Sequence, residues 1–486
     1  MAADTSADAD HAETAPVGSR PSPLNDIHRL DAHAVAALVR SGDLSPVALA
    51  EAMLERIARL DPTFESYACV TTALAMEQAQ RAEDDIRHGI NRGPLHGVPI
   101  AVKDLCDTAG IPTAAGFAFL KDRRPSENAT VVDRLAASGA VLLGKLRTTE
   151  GAFSIHNDGR PAPRNPWSAD HWAGHSSSGS GVATAVGLAF ASIATDTGGS
   201  IRYPASANGV VGLKPSWGRV SRHGVFPMAG SLDHVGAIAR SVADVALMLG
   251  IVAGHDAKDP TSSRRAVPSY GGGLTAGLRG LRVAVDRRLI NDGVDDEVRQ
   301  VVGRAEEVFR DLGATIVETA LPSPEAAIDA WSVLCAGEAA IAHRTLFSDH
   351  ADEYSPQLSA FLRRGADVST AALTQATLTR LAFSDDIDTL LLSADLIMMP
   401  VQCWAPPSLA EMAARGSDPA FVAGLLRFTA PSNLSGHPAL ILPGGVGRSG
   451  VPIGFQLIGR KFDEATLLAA GHGYEAASGR LRPPAF

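Results

Sequence analysis

The sequence predicts a layered α/β fold, and two observations carry that expectation. Short apolar runs of strand character at 100–102, 141–143, 191–194, 282–285 and 397–399 are interleaved with longer stretches of helical spacing. The chain also has the material for a large buried core, since 45% of its 486 residues are hydrophobic and 20% are charged. Length alone permits two or three domains.

Taken in order, the first 24 residues are rich in Ala, Asp, Thr and Ser and lack the basic start and apolar stretch of a secretory signal. They read as an acidic, disordered tail. Residues 26–60 have helical spacing, with Ser45-Pro46 as a helix start, and 73–88 form a second helix. A helix is predicted over 131–137 before the strand at 141–143, a short buried helix over 182–188 and a buried strand over 190–194. Tyr270-Gly271-Gly272-Gly273 is expected as a surface connection ahead of a strand near 281, and 294–427 reads as mainly helical. No internal repeat is evident, and no run reaches the ~20 apolar residues of a membrane span.

Bulk charge narrows the function classes. Forty-three basic against 53 acidic residues leave a net charge of −10, which argues against nucleic acid or an anionic membrane as the main partner. Cys69, Cys106, Cys335 and Cys403 form no C-x-x-C pair, so reduced thiols in a cytoplasm are expected rather than a disulfide framework. No metal cluster is expected. His171 and His175 are four apart but lie in a Trp/Gly/Ser loop without a companion acid, and are placed at a pocket mouth. Gly139-Ala140-Val141-Leu142-Leu143-Gly144-Lys145-Leu146 resembles a phosphate-binding loop but lacks the Ser or Thr that would hold Mg²⁺, and a helix precedes it where a strand is required.

Two loops carry the chemistry. Gly174-His175-Ser176-Ser177-Ser178-Gly179-Ser180-Gly181 and Asp196-Thr197-Gly198-Gly199-Ser200-Ile201-Arg202 flank an uncharged run of small and apolar residues. A helix of about 10 residues climbs roughly 15 Å and a strand of about 5 returns roughly 16 Å, so folding back brings Ser200 toward Ser176. Gly198 and Gly199 let successive N–H groups point at one place, a nest able to hold an oxyanion, although either loop alone reads more readily as a tight turn. A base is expected from Gly97-Val98-Pro99-Ile100-Ala101-Val102-Lys103-Asp104, where a strand ends in lysine. A desolvated lysine beside a serine is a recognised way to activate the hydroxyl, provided its pKa falls by roughly 2 to 3 units. Neither serine lies in the G-x-S-x-G elbow of an α/β-hydrolase, and Cys106 reads as a buried thiol near the lysine.

In these contexts Lys103, Ser176 and Ser200 resemble the Ser-cisSer-Lys triad of the amidase signature family. The resemblance extends to Gly209-Val210-Val211-Gly212-Leu213-Lys214-Pro215-Ser216-Trp217-Gly218-Arg219-Val220, Ser231-Leu232-Asp233-His234-Val235-Gly236 and Gly454-Phe455-Gln456-Leu457-Ile458-Gly459-Arg460. The family's first loop usually reads G-G-S-S-G-G-S, and His175 and Ser178 here replace two glycines. The resemblance implies one domain over 25–486, built on a large mixed central β-sheet covered by helices on both faces. It further implies that 294–427 selects the substrate, with Trp331, Cys403, Trp404 and Phe421 as candidate pocket residues.

By the same resemblance Ser200 is the nucleophile, and Ser176, on a cis peptide, relays a proton between Ser200 and Lys103. The N–H groups of Thr197, Gly198, Gly199 and Ser200 hold the oxyanion, and Ser177 hydrogen-bonds within the triad. Asp196 and Arg202 either brace the nucleophile loop or form a plain surface ion pair. No cofactor is implied, and the substrate is a small amide or carbamate. Two functions follow: a stand-alone hydrolase, or the glutaminase subunit of a tRNA-dependent amidotransferase.

Overall fold

The computed structural model describes residues 26–275 and 277–486, so the tail expected over 1–24 lies outside the described residues. Among the described residues eleven strands form one sheet: β1 (Tyr67–Val70), β2 (Pro99–Lys103), β3 (Val141–Leu146), β4 (Ala191–Asp196), β5 (Val211–Lys214), β6 (His234–Ala239), β7 (Arg282–Val285), β8 (Thr315–Glu318), β9 (Leu396–Pro400), β10 (Ala439–Val446) and β11 (Pro452–Gly459). Their order is β1-β3-β2-β4-β6-β5-β10-β11-β9-β7-β8. The sheet is mixed: edge strand β1 is antiparallel to β3, β3, β2 and β4 run parallel, β9, β7 and β8 run parallel at the other end, and the pairs between these two groups are antiparallel.

Alternation along the strands explains why both faces are covered. Val283 and Val285 join one apolar cluster while Ala284 joins another; Leu396 and Met398 part from Ile397 in the same way. Because both faces are apolar, each needs a layer of helices. Pro46–Phe64, Thr72–Arg87, Val242–Val252, Asp296–Asp311 and Glu464–Ser478 supply buried residues to the larger cluster, and Pro324–Ala342, Pro356–Ala366 and Thr370–Ser393 to the second.

The predicted helix start at Ser45 is present: its hydroxyl accepts the Ala48 N–H at 3.1 Å, and Pro46 opens the helix. The 26–60 stretch is nevertheless two α-helices, Ala32–Ser41 and Pro46–Phe64, after a short 3₁₀ turn. The near-phosphate-loop runs into strand β3, where buried Lys145 pairs with Asp104 at 3.2 Å. Tyr270 is buried while Gly271, Gly272 and Gly273 are exposed, so only the glycines make a surface connection. The mainly helical region 294–427 also contributes β8 and β9 to the sheet. Spacing missed β1, β5, β6, β8, β10 and β11, which are short or are interrupted by glycine and proline.

Sheet register places the site. In parallel neighbours β2 and β4, Val102 faces Ile193, so both strands end at the same edge. Antiparallel β6 starts there, with His234 opposite Asp196.

Candidate active site

Lys103 ends β2, a strand with every residue buried, and has no exposed surface. Its Nζ donates to Ser176 Oγ at 2.7 Å and Thr195 Oγ1 at 2.8 Å. No carboxylate lies within ion-pair distance of it among the described residues. Burial accordingly pulls the ammonium down to about 7, against weaker opposing fields from Cys106, Asp196 and Asp233. Thr195, one residue past the strand that spacing predicts, is a second hydroxyl on that amine.

The two serine loops meet as the estimate of reach required, with the Ser177 N–H donating to the Ser200 carbonyl at 3.3 Å. The His175–Ser176 peptide is cis. Ser177 Oγ donates to the Thr195 carbonyl at 3.1 Å, linking the first loop to the strand beside Lys103. Ser178 and Gly179 open the helix Ser178–Val186 rather than extending the loop.

Asp196 and Arg202 form a buried pair, both without exposed surface, and not a surface contact. Asp196 Oδ1 accepts from Arg202 Nη2, Asn433 Nδ2 and the Gly199 N–H at 2.8–2.9 Å, and Oδ2 from Arg202 Nε and the Ile201 N–H at 3.0 Å. Burial alone would favour the neutral acid, but Arg202 and these donors hold the carboxyl well below the usual carboxylate range. Arg202 Nη1 donates onward to the Thr429 carbonyl and Ser432 Oγ, at 2.9 and 2.7 Å.

Of the four N–H groups expected to hold the oxyanion, that of Gly199 is otherwise engaged. The Gly199 N–H is already given to Asp196, whereas those of Thr197, Gly198 and Ser200 donate to no protein acceptor among the described residues. Gly199, at φ 136° and with the Tyr203 ring 2.3 Å from where a Cβ would stand, is a position only glycine fits. Thr197 Oγ1 donates to Asp233 at 2.6 Å, and Asp233 is held by the Met228 and Ala229 N–H groups.

Among the described residues no histidine is hydrogen-bonded to Ser200 Oγ. His175 packs edge-on against Trp172 and Tyr203, and burial pushes it down to about 4, leaving it neutral. Ser178 Oγ lies 3.0 Å from His156 Nε2. His171 Nδ1 is hydrogen-bonded to Ser168 Oγ at 2.9 Å.

A cavity of about 250 Å³ reaches Thr195 and Thr197, with Leu105, Val225, Phe226 and Met228 on its apolar side. The candidate pocket residues fall elsewhere. Trp404 stacks on Phe421 at 4.9 Å, Cys403 is buried in the core, and only Trp331 reaches the nucleophile loop. Sequence reasoning gave Thr429 and Asn433 no role, because their partners lie more than 200 residues away and no local signal marks them.

Known proteins carry the same architecture. The family model described as Amidase matches residues 48–468. A protein named putative amidase AmiD, from Mycobacterium tuberculosis, is 44% identical over 94% of this chain and 96% of its own length. A Glutamyl-tRNA(Gln) amidotransferase subunit from Chloroflexus aurantiacus is 36% identical over 93% of this chain and 97% of its own. The solved peptide amidase of Stenotrophomonas maltophilia superposes with a TM-score of 0.82 at 30% identity, covering 95% of this chain and 99% of that one. The chain belongs to the amidase signature family, enzymes that hydrolyse carbon–nitrogen bonds.

Proposed function

We propose that this protein is a stand-alone amidase that cleaves a small amide or carbamate through an acyl-enzyme on Ser200. The observation that carries the reading is Lys103: a fully buried amine bonded to two hydroxyls and to no carboxylate, and so neutral in a large fraction of molecules at pH 7. Neutral Lys103 takes the Ser176 proton as Ser176 takes that of Ser200, and the Ser200 oxygen attacks the carbonyl carbon. The N–H groups of Thr197, Gly198 and Ser200 hold the resulting oxyanion. As the C–N bond breaks, Ser176 returns a proton to the departing nitrogen. Water then attacks the acyl-enzyme along the reverse proton path and releases the acid. Ser177 and the Asp196–Arg202 pair keep the two loops in register.

The 44% identity to a protein named as an amidase supports the stand-alone reading. The 36% identity to an amidotransferase subunit supports a second, in which the same site releases ammonia from glutamine. We assign the helices of 294–427 to substrate selection, within one domain over 25–486. A reducing cytoplasm suits the four cysteines, all free.

The test is amine or ammonia release by the purified chain from an anilide, a primary aliphatic amide, an aryl carbamate and glutamine. Turnover of one of the first three, abolished in Ser200→Ala with the fold intact, is expected. Activity on glutamine alone, or only with added partner proteins, favours the second reading, and substantial activity in Ser200→Ala removes Ser200 as nucleophile.

A further inference from the structure

Each peptide of the nucleophile loop has its carbonyl held by a donor. Asn433 Nδ2 donates to the Asp196 carbonyl at 3.0 Å, Trp331 Nε1 to that of Thr197 at 2.7 Å, and Thr429 Oγ1 to that of Gly198 at 2.7 Å. The Tyr203 N–H donates to the Gly199 carbonyl at 2.8 Å. A trans peptide is planar, with its C=O and the following N–H pointing opposite ways, so a pinned carbonyl aims the next N–H. The carbonyls of Asp196, Thr197 and Gly199 therefore aim the N–H groups of Thr197, Gly198 and Ser200, the three without protein acceptors among the described residues.

Of these anchors only Trp331 comes from the long helix Pro324–Ala342 of the helical region. Its ring also lies against the loop, 2.6 Å from where a Gly198 Cβ would stand. Seven residues on, and so on the same helix face, Glu338 accepts the Ser231 N–H at 2.7 Å, in the segment whose Asp233 holds Thr197.

Resting on the reading of Ser200 as nucleophile, we infer that Trp331 is a positioning residue: its indole N–H sets the Thr197–Gly198 peptide plane and aims the Gly198 N–H at the oxyanion. The region of the chain assigned to substrate selection thereby also tunes catalysis.

An alkyl fluorophosphonate tests this without knowledge of the substrate. Ser200 Oγ bonds to phosphorus, the P–F bond breaks, fluoride leaves, and the serine proton passes by way of Ser176 to Lys103, while the developing P–O⁻ occupies the oxyanion position. Trp331→Phe keeps an aromatic ring but removes the N–H. Its labelling rate constant should fall about 10- to 100-fold, with labelling still reaching one per chain and the unfolding midpoint unchanged. A rate within about 2-fold of wild type overturns the inference. Should that variant not fold, Gly198→Ala, which drives a methyl into the indole, probes the contact from the loop side, with the same slowing expected and a wild-type rate again overturning it. Labelling that persists in Ser200→Ala, or fails in wild type, instead overturns the reading of Ser200 on which the inference rests.

Discussion

Lys103 and Arg202 flank the same loop, both fully buried and both basic, yet their surroundings are opposite in kind. Arg202 faces the Asp196 carboxylate through two hydrogen bonds, with carbonyls and hydroxyls taking its other donors. Lys103 faces hydroxyls only. A hydroxyl accepts a hydrogen bond without cancelling the charge, so the cost of burying an ammonium falls on the protonated form, whereas a carboxylate at 2.9 Å compensates the guanidinium. Burial therefore does not by itself determine ionisation; the partner does. The paired side holds the loop's shape at any ordinary pH, and the unpaired side supplies a base that works near neutrality.

The widest separation of the two sides is expected from Lys103→Met. Activity should drop about 10²- to 10⁴-fold. Stability should move the other way, because the native amine titrates at about 7 and the unfolded one at about 10.4, so below pH 7 wild type bears the whole cost of a buried cation. Between about pH 7 and pH 10 the unfolded chain still holds the proton that the native amine has lost, so raising the pH favours the native state and the cost falls. Relative to a side chain that never titrates, wild type is penalised by the protonated burial below pH 7 and recovers progressively as pH climbs toward about 10. The variant should accordingly be the more stable at pH 6, by an advantage that shrinks at pH 9. Thermal unfolding at the two pH values checks this, and a variant less stable than wild type at pH 6 would contradict the unpaired-cation account. In wild type the same titration predicts an acid limb, with kcat/KM declining as pH falls through about 7.

Asp196→Asn attacks the paired side. It leaves Arg202 as an uncompensated buried charge and should destabilise the protein by about 3–5 kcal/mol in denaturant titrations. A loss under about 1 kcal/mol would mean that the pair is not holding the loop. The smallest effect belongs to Ser178→Gly, which restores the family's glycine and removes only the bond to His156. About 1 kcal/mol of stability and no change in kcat are expected; a large fall in kcat would show that Ser178 reaches the reaction.

Much of the site was legible because it is written in short, chemically odd stretches. A lysine closing an apolar strand, and glycines crowded around serines on either side of a buried helix, are local features, and reach estimates alone brought the two loops together. Elements were less legible where signals were weak. Strand β10 contains Pro443, Gly444 and Gly445, which broke its strand pattern. Trp331 could be read only as one aromatic among several, since nothing in Ala330-Trp331-Ser332 marks a carbonyl 134 residues away as its partner.

By itself the sequence determined which groups are candidates for the chemistry, the layered α/β class and the family, because these rest on residue type, spacing and motif. Tertiary structure alone decided their states. That Lys103 lacks a carboxylate, that Asp196 has five donors, and that the Gly199 N–H is spent while the Thr197 carbonyl is held by Trp331 all depend on atoms brought together from distant parts of the chain. Protonation and hydrogen-bond direction respond to neighbours within a few ångströms in space, and adjacency in sequence records only a few of those.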